Sequence, residues 1–239
     1  MTVVAILGLG EAGGRLAADL AAAGVEVRGY DPVAPSSHDD PAEAVAGADV
    51  VLSLTSASAA RATAAAVAPA LGEAIYADLN TAAPELKREL AQVVSRFADV
   101  ALLGPVPARG LGTPALASGS AADAFAALFR PLGMPVEVVS AEPGDAAAMK
   151  LLRSVFMKGL AASALESLAA ADAAGHREWL ERQIGDVIGP ALLTRLVEGS
   201  RRHAARRVDE MDAARDLLVA LGVEPRVAEA SREILADLE

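Results

Sequence analysis

The first 31 residues, MTVVAILGLGEAGGRLAADLAAAGVEVRGYD, constrain the fold more than any other part of the chain. An unbroken apolar run, TVVAILG (2–8), leads straight into glycines at 8, 10 and 13. A helix-type stretch (11–24) closing on Gly24 follows, and then a second strand-type run, VEVRGYD (25–31). Strand, glycine turn, helix and strand in about 30 residues make a βαβ unit, and its crossover obliges the two strands to lie parallel. The pattern recurs. ADVVLSLT (48–55), AIYADL (74–79), ADVALLG (98–104) and MPVEVVS (134–140) read as further strands, with helix-type sequence at 56–71 and a helix opening near Pro84. Continuous apolar runs are what a parallel sheet covered on both faces requires. From about Glu142 no strand pattern remains, and helices are expected at 142–174, 177–198, 201–221 and 225–238, punctuated by Gly175, Gly199 and Gly222. The expected class is α/β: a doubly wound, Rossmann-type parallel sheet over 1–141, followed by an all-helical domain over 142–239.

The glycines carry a chemical meaning beyond the turn. GLGEAG has the G-x-G-x-x-G spacing. Gly8 permits the tight turn, Gly10 lets backbone approach a pyrophosphate, and Gly13 lets the helix pack closely. The segment Gly8, Leu9, Gly10, Glu11, Ala12 and Gly13 is therefore a candidate cofactor loop, with the helix N-terminus offering N–H donors and positive dipole. Asp31, at the end of the second strand, stands near the spacing expected of a carboxylate on the adenosine ribose. A carboxylate accepts from a 2′-hydroxyl and repels a 2′-phosphate, so NAD is expected, with NADP still open because Ser36 and Ser37 follow in the next loop.

Composition removes other classes. The formal net charge of -11 opposes polyanionic partners, so neither nucleic acid nor a membrane is expected, and the basic run RRHAARR (201–207) is a local exception. With no cysteine, thiolate chemistry, disulfides and cysteine-ligated zinc are excluded. His38, His176 and His203 have no metal-ligand spacing, so no metal site is expected. The apolar start lacks the basic residue of a signal peptide, and a cytoplasmic location is the default expectation. The single tryptophan, Trp179, is expected in the core or in a contact between copies.

Several separated motifs together resemble the β-hydroxyacid dehydrogenase family, which includes 3-hydroxyisobutyrate and 6-phosphogluconate dehydrogenases. GLGEAG matches the cofactor loop, and ADVVLSLTSASA resembles the strand beside the nicotinamide ribose, which implies cofactor contacts from Thr55 and Ser56. DLNTAAP resembles D-x-S-T-x-x-P, with Asn80 in the serine position. GPVPARGLGTPALASG (104–119) is similar to the substrate segment, but Pro107, Ala108 and Arg109 replace its serine-glycine-glycine. GDAAAMKLLRS puts Lys150 at the catalytic lysine and Ser154 in the asparagine position of G-x-x-x-x-x-K-x-x-x-N. Asp209, Glu210 and Met211 align with a K-D-L, so that lysine is missing. The helical half is shorter than usual and looks like a branch whose C-terminal domain has only a placeholder name.

The resemblance implies an NAD(P)-dependent oxidoreductase interconverting a hydroxyl and a carbonyl on a small acid-like substrate, with Lys150 as general acid or base and Ser154 as an orienting hydroxyl. Arg109 is a candidate anion anchor, and His203 and Arg206, three apart on one helical face, are candidates to close the pocket. A homodimer is implied as well, in keeping with the apolar stripes along 146–170. An imine reductase and a dinucleotide-binding sensor or scaffold without turnover are the alternatives.

Overall fold

The computed structural model describes residues 2–238. Contacts divide them into two units, one reaching to Lys150 and the other starting at Leu151. The first holds β1 (Val3–Leu7), α1 (Glu11–Ala22), β2 (Glu26–Tyr30), α2 (Pro41–Val45), β3 (Val50–Ser53), α3 (Ala57–Val67) and β4 (Ile75–Asp78). It continues with α4 (Pro84–Val93), β5 (Phe97–Leu102), α5 (Val106–Arg109), β6 (Ala115–Ser118), α6 (Ala122–Phe129) and β7 (Val136–Ser140).

The strands form one seven-stranded sheet in the order β2-β1-β3-β4-β5-β6-β7. It is a Rossmann-like sheet covered on both faces, and alternate residues of each strand feed two cores. Val4, Ile6, Val50 and Leu52 pack with Leu16 and Leu20 of α1 and with Phe125 and Phe129 of α6. Ala5, Leu7, Val51 and Tyr76 pack on the other face with Val45 of α2, Ala60 and Ala64 of α3, and Leu90 of α4. This period-2 division explains why the strands read as unbroken apolar runs.

Two expectations need correcting. The sheet is not wholly parallel: β6 runs antiparallel to β5, with Val100 opposite Ala117. Its sequence, ALAS, carries no strand-type pattern of its own and lies inside the 104–119 segment that resembles a substrate loop. The helix expected over 177–198 is two helices, because Gly189 takes φ +86° and Pro190 opens a new first turn, where its missing N–H costs nothing.

The second unit is all-helical. It contains the greater part of α7 (Asp145–Ala174), whose first turns belong to the first unit, with α8 (Arg177–Ile188), α9 (Pro190–Arg202), α10 (Ala204–Ala220) and α11 (Arg226–Ala236). Leu165 and Leu168 of α7 pack with Leu193 and Val197 of α9, while Leu151 packs with Met211, Ala214 and Leu235. Trp179 lies outside these cores, 57% exposed. No helix among the described residues is long and apolar enough to cross a membrane.

Candidate active site

Strand register decides where the site can be. Leu7 pairs with Tyr30 on one side and with Ser53 on the other, and Ser53 pairs with Asp78. The carboxyl ends of β2, β1, β3 and β4 are therefore level, and the loops after them share one edge. The chain leaves β1 for β2 on one side and crosses back to β3 on the other. Such a reversal opens a crevice beyond the strand ends, where ligands bind in open α/β sheets.

The glycine loop occupies that crevice. Gly8 takes φ +99°, and a Cβ there would meet the Leu54 carbonyl oxygen at 2.5 Å. A Cβ on Gly13 would lie 1.9 Å from the Gly8 carbonyl oxygen, so α1 approaches β1 as closely as backbone allows. At Gly10 a Cβ would meet nothing within 4 Å, so the space beside this backbone is open. Gly10 caps α1 without a side chain, and the first helical bond runs from Gly14 N–H to Gly10 at 2.8 Å. The amides of Glu11, Ala12 and Gly13 precede that bond and have no acceptor in the preceding turn. An open cradle at a helix N-terminus fits a pyrophosphate.

Asp31 ties this loop to the end of β2. Its carboxylate accepts from Leu9 N–H at 2.7 Å and from Val33 and Ala34 N–H at 2.8 Å each. These backbone donors, Ala34 foremost, outweigh partial burial and hold the carboxyl below the usual carboxylate range. Asp31 thus stays ionised as well as fixed.

On the other side of Gly8 stands Thr55, whose backbone nitrogen would lie 3.1 Å from a Cβ on that glycine. Asn80 Nδ2 donates to Asp78 Oδ2 at 2.8 Å and to Ser53 Oγ at 3.3 Å, with Thr55 Oγ1 at 3.5 Å. Ser56 is exposed and caps α3 by accepting from Ala59 N–H. Next to Asn80, Thr81 Oγ1 accepts from Lys150 Nζ at 2.7 Å. Asp31, the glycine loop, Thr55, Asn80, Thr81 and Lys150 consequently form one continuous strip along the sheet edge.

Three other expected site residues, Pro107, Ala108 and Arg109, lie exposed on α5 and are joined to α1. Arg15 donates to the Pro107 carbonyl at 3.0 Å, and Asp19 accepts from Leu111 N–H at 3.0 Å. Ser154, His203 and Arg206 belong to the second unit. Ser154 is 2% exposed and donates to Glu210, which also pairs with Lys158 Nζ at 2.8 Å. Burial lowers the Lys158 pKa against the opposing pull of Glu210, and Arg207 and Arg153 lower it further. His203 is half-buried where α9 meets α10, and Arg206 is exposed. The neighbouring Arg207 turns inward, donating to Ser200 Oγ at 2.5 Å.

Sequence reasoning missed Lys87, Asp99, Lys158 and Arg207. Lys87, on α4, is fully buried between Asp78 Oδ1 at 2.5 Å and Asp99 Oδ1 at 3.1 Å. One signal was present all along: only three of the 21 basic residues are lysines, at 87, 150 and 158. All three bond to a carboxylate or a hydroxyl, and Lys87 is wholly buried.

Comparison with known proteins finds the same fold in other chains. Residues 171–238 match DUF1932, a domain of unknown function. A conserved hypothetical protein from Sinorhizobium meliloti 1021 is 31% identical, with 99% of this chain and 88% of that one covered and a TM-score of 0.68. A conserved protein of unknown function, described as structurally similar to 3-hydroxyacid dehydrogenases, is 28% identical over 99% and 96% of the two chains, with a TM-score of 0.75. The fold is shared with 3-hydroxyisobutyrate dehydrogenase from Mycobacterium tuberculosis, solved with L-serine, at 21% identity over 99% and 93% with a TM-score of 0.80. An uncharacterised 28.5 kDa protein of Methanothermus fervidus is 27% identical over 69% of this chain, and the match spans 66% of that protein, just under two thirds.

Proposed function

This chain belongs to the family of 3-hydroxyisobutyrate dehydrogenase-like proteins whose C-terminal domain is DUF1932, and on that premise we propose an NAD(P)-dependent oxidoreductase acting between a hydroxyl and a carbonyl. The observation that carries the proposal is Lys150 Nζ on Thr81 Oγ1, at the far end of an edge that begins with the glycine loop.

Each residue of the strip has a part. The amides of Glu11, Ala12 and Gly13 hold a pyrophosphate, and ionised Asp31 accepts from a ribose hydroxyl while repelling a 2′-phosphate, which favours NAD over NADP. Thr55 and Asn80 flank the ribose at the nicotinamide end. The nicotinamide, when bound, supplies the hydride acceptor or donor. In oxidation the neutral Lys150 amine takes the hydroxyl proton as the carbonyl forms; in reduction the ammonium returns it to the oxygen. Thr81, accepting one N–H, turns the amine toward the substrate. Ser154 is committed to Glu210, which leaves the proton transfer to Lys150.

Arg109 on α5 offers a guanidinium to a substrate carboxylate, and the lack of a hydroxyl at Pro107 and Ala108 supports a substrate set different from the usual hydroxy acids. A second copy of the chain is the proposed partner. Leu152 and Phe156, four apart on α7, are 45% and 66% exposed, a pair that a like helix would cover.

The test is a carbonyl-substrate screen with NADH and with NADPH, repeated on Lys150→Met. Turnover that falls by orders of magnitude while the cofactor still binds supports the reading; unchanged turnover in the variant overturns it. Sedimentation showing a stable monomer at micromolar concentration would remove the second copy.

A further inference from the structure

The reaction proposed above makes no use of the most deeply buried charges in the first unit. Lys87 lies under the sheet edge with two carboxylates and no exposure. Burial alone would lower its pKa, yet Asp78 and Asp99 together raise it, so the group is a fixed ammonium. Removing one member of such a cluster is costly, because the others are left buried without a counter-charge.

Its two carboxylates lead to different places. Asp78 Oδ2 accepts from Asn80 Nδ2 at 2.8 Å, and its Oδ1 accepts from Asn80 N–H at 3.2 Å, which fixes the residue before Thr81. Asp99 Oδ2 accepts from Ala147 N–H at 2.9 Å and from Ser118 Oγ at 3.3 Å, and Ser118 in turn accepts from Ala146 N–H at 3.1 Å. Those two amides open α7, where a carboxylate also meets the positive end of the helix dipole. Lys150 follows Ala146 and Ala147 by four and three residues, which puts it over the same face one turn on. Gly144, just ahead, packs so tightly on Pro84 of α4 that a Cβ would lie 2.8 Å from its carbonyl oxygen.

We propose that Lys87 is a positioning residue: through Asp78 it holds the Asn80–Thr81 turn, through Asp99 it holds the first turn of α7, and it thereby sets Lys150 Nζ against Thr81. The inference rests on the reading of Lys150 as the group that moves the proton. A displacement of about 1 Å at such a group lowers turnover by up to about 100-fold.

With three lysines in the chain, lysine-selective ¹³C labelling of the full-length protein gives one ε-methylene signal for each. In Lys87→Met the Lys150 signal should move toward the free-lysine position while that of Lys158, in the other unit, stays in place. With a substrate in hand, kcat should fall roughly 10- to 100-fold and the NADH Kd should stay within about twofold. Where Lys87→Met does not fold, Asp99→Asn decides. It leaves one cation facing one carboxylate and keeps an acceptor for Ala147, so a role in shape alone leaves the Lys150 signal unmoved and overturns the proposal, whereas a shift supports it. An unmoved signal and wild-type kcat in folded Lys87→Met also overturn it. The signals need no turnover, so the two readings separate: full activity in Lys150→Met defeats Lys150 as the group that moves the proton, whatever the signals show for Lys87.

Discussion

Two glycines three residues apart in the same loop, Gly10 and Gly13, should respond in opposite ways to one methyl group. A Cβ on Gly13 would lie 1.9 Å from the Gly8 carbonyl oxygen, a backbone atom that cannot rotate away. Gly13→Ala must therefore push α1 from β1. Overpacking of this kind costs about 1–3 kcal/mol, and at about 2–4 °C per kcal/mol for a chain of this size the upper part of that range lowers Tm by about 5–10 °C. Gly10→Ala meets nothing within 4 Å, so its stability should change by no more than about 0.5 kcal/mol. The same methyl stands where a pyrophosphate would rest. Its NADH affinity should fall about tenfold or more, which is about 1.4 kcal/mol. Differential scanning fluorimetry and calorimetric titration read the two effects separately. Wild-type NADH affinity in Gly10→Ala would refute the cradle, and an unchanged Tm in Gly13→Ala would refute the packing argument.

Three further outcomes follow from the charges. Asp31→Asn gives up the ionised acceptor, and since hydrogen bonds to charged groups contribute about 1.5–3 kcal/mol, the preference for NADH over NADPH should shrink by about tenfold or more in paired titrations. Because the folded pKa of Asp31 lies below its ordinary 3.8, its contribution to stability is complete above that value and is lost as pH falls through the folded one; in acid titrations followed by Tm, Asp31→Asn should lose part of this fall. In the second unit, Glu210→Ala strands Lys158 and should cost about 3–5 kcal/mol in denaturant unfolding, whereas Lys158→Met with Glu210→Leu should recover most of it.

The part of the molecule built from local pattern could be read ahead of the structure. An apolar run, a glycine spacing and a carboxylate after the second strand all express backbone constraints within 31 residues, and they survive as β1, the Gly8–Gly13 loop, β2 and Asp31. What depends on distant partners could not. β6 is a four-residue stretch, ALAS, that becomes a strand only because β5 and β7 flank it. The break between α8 and α9 is signalled only by the Gly189–Pro190 dipeptide, inside a stretch whose composition is helical throughout. Lys87 looks like any lysine on an amphipathic helix until β4 and β5 bring Asp78 and Asp99 to it. Ser154 shares a helical face with Lys150 in the sequence, and only the packing of α10 brings it Glu210.

Whether the edge from Asp31 to Lys150 is a dinucleotide site is read out by thermal unfolding with NADH and, separately, with NADPH. A ligand at about 100 times its Kd stabilises by about 2.7 kcal/mol, which here raises Tm by about 5–10 °C. That rise is expected with NADH, and a smaller one with NADPH at equal concentration. No rise with either would leave the glycine loop as architecture alone and rule out a dinucleotide site along this edge.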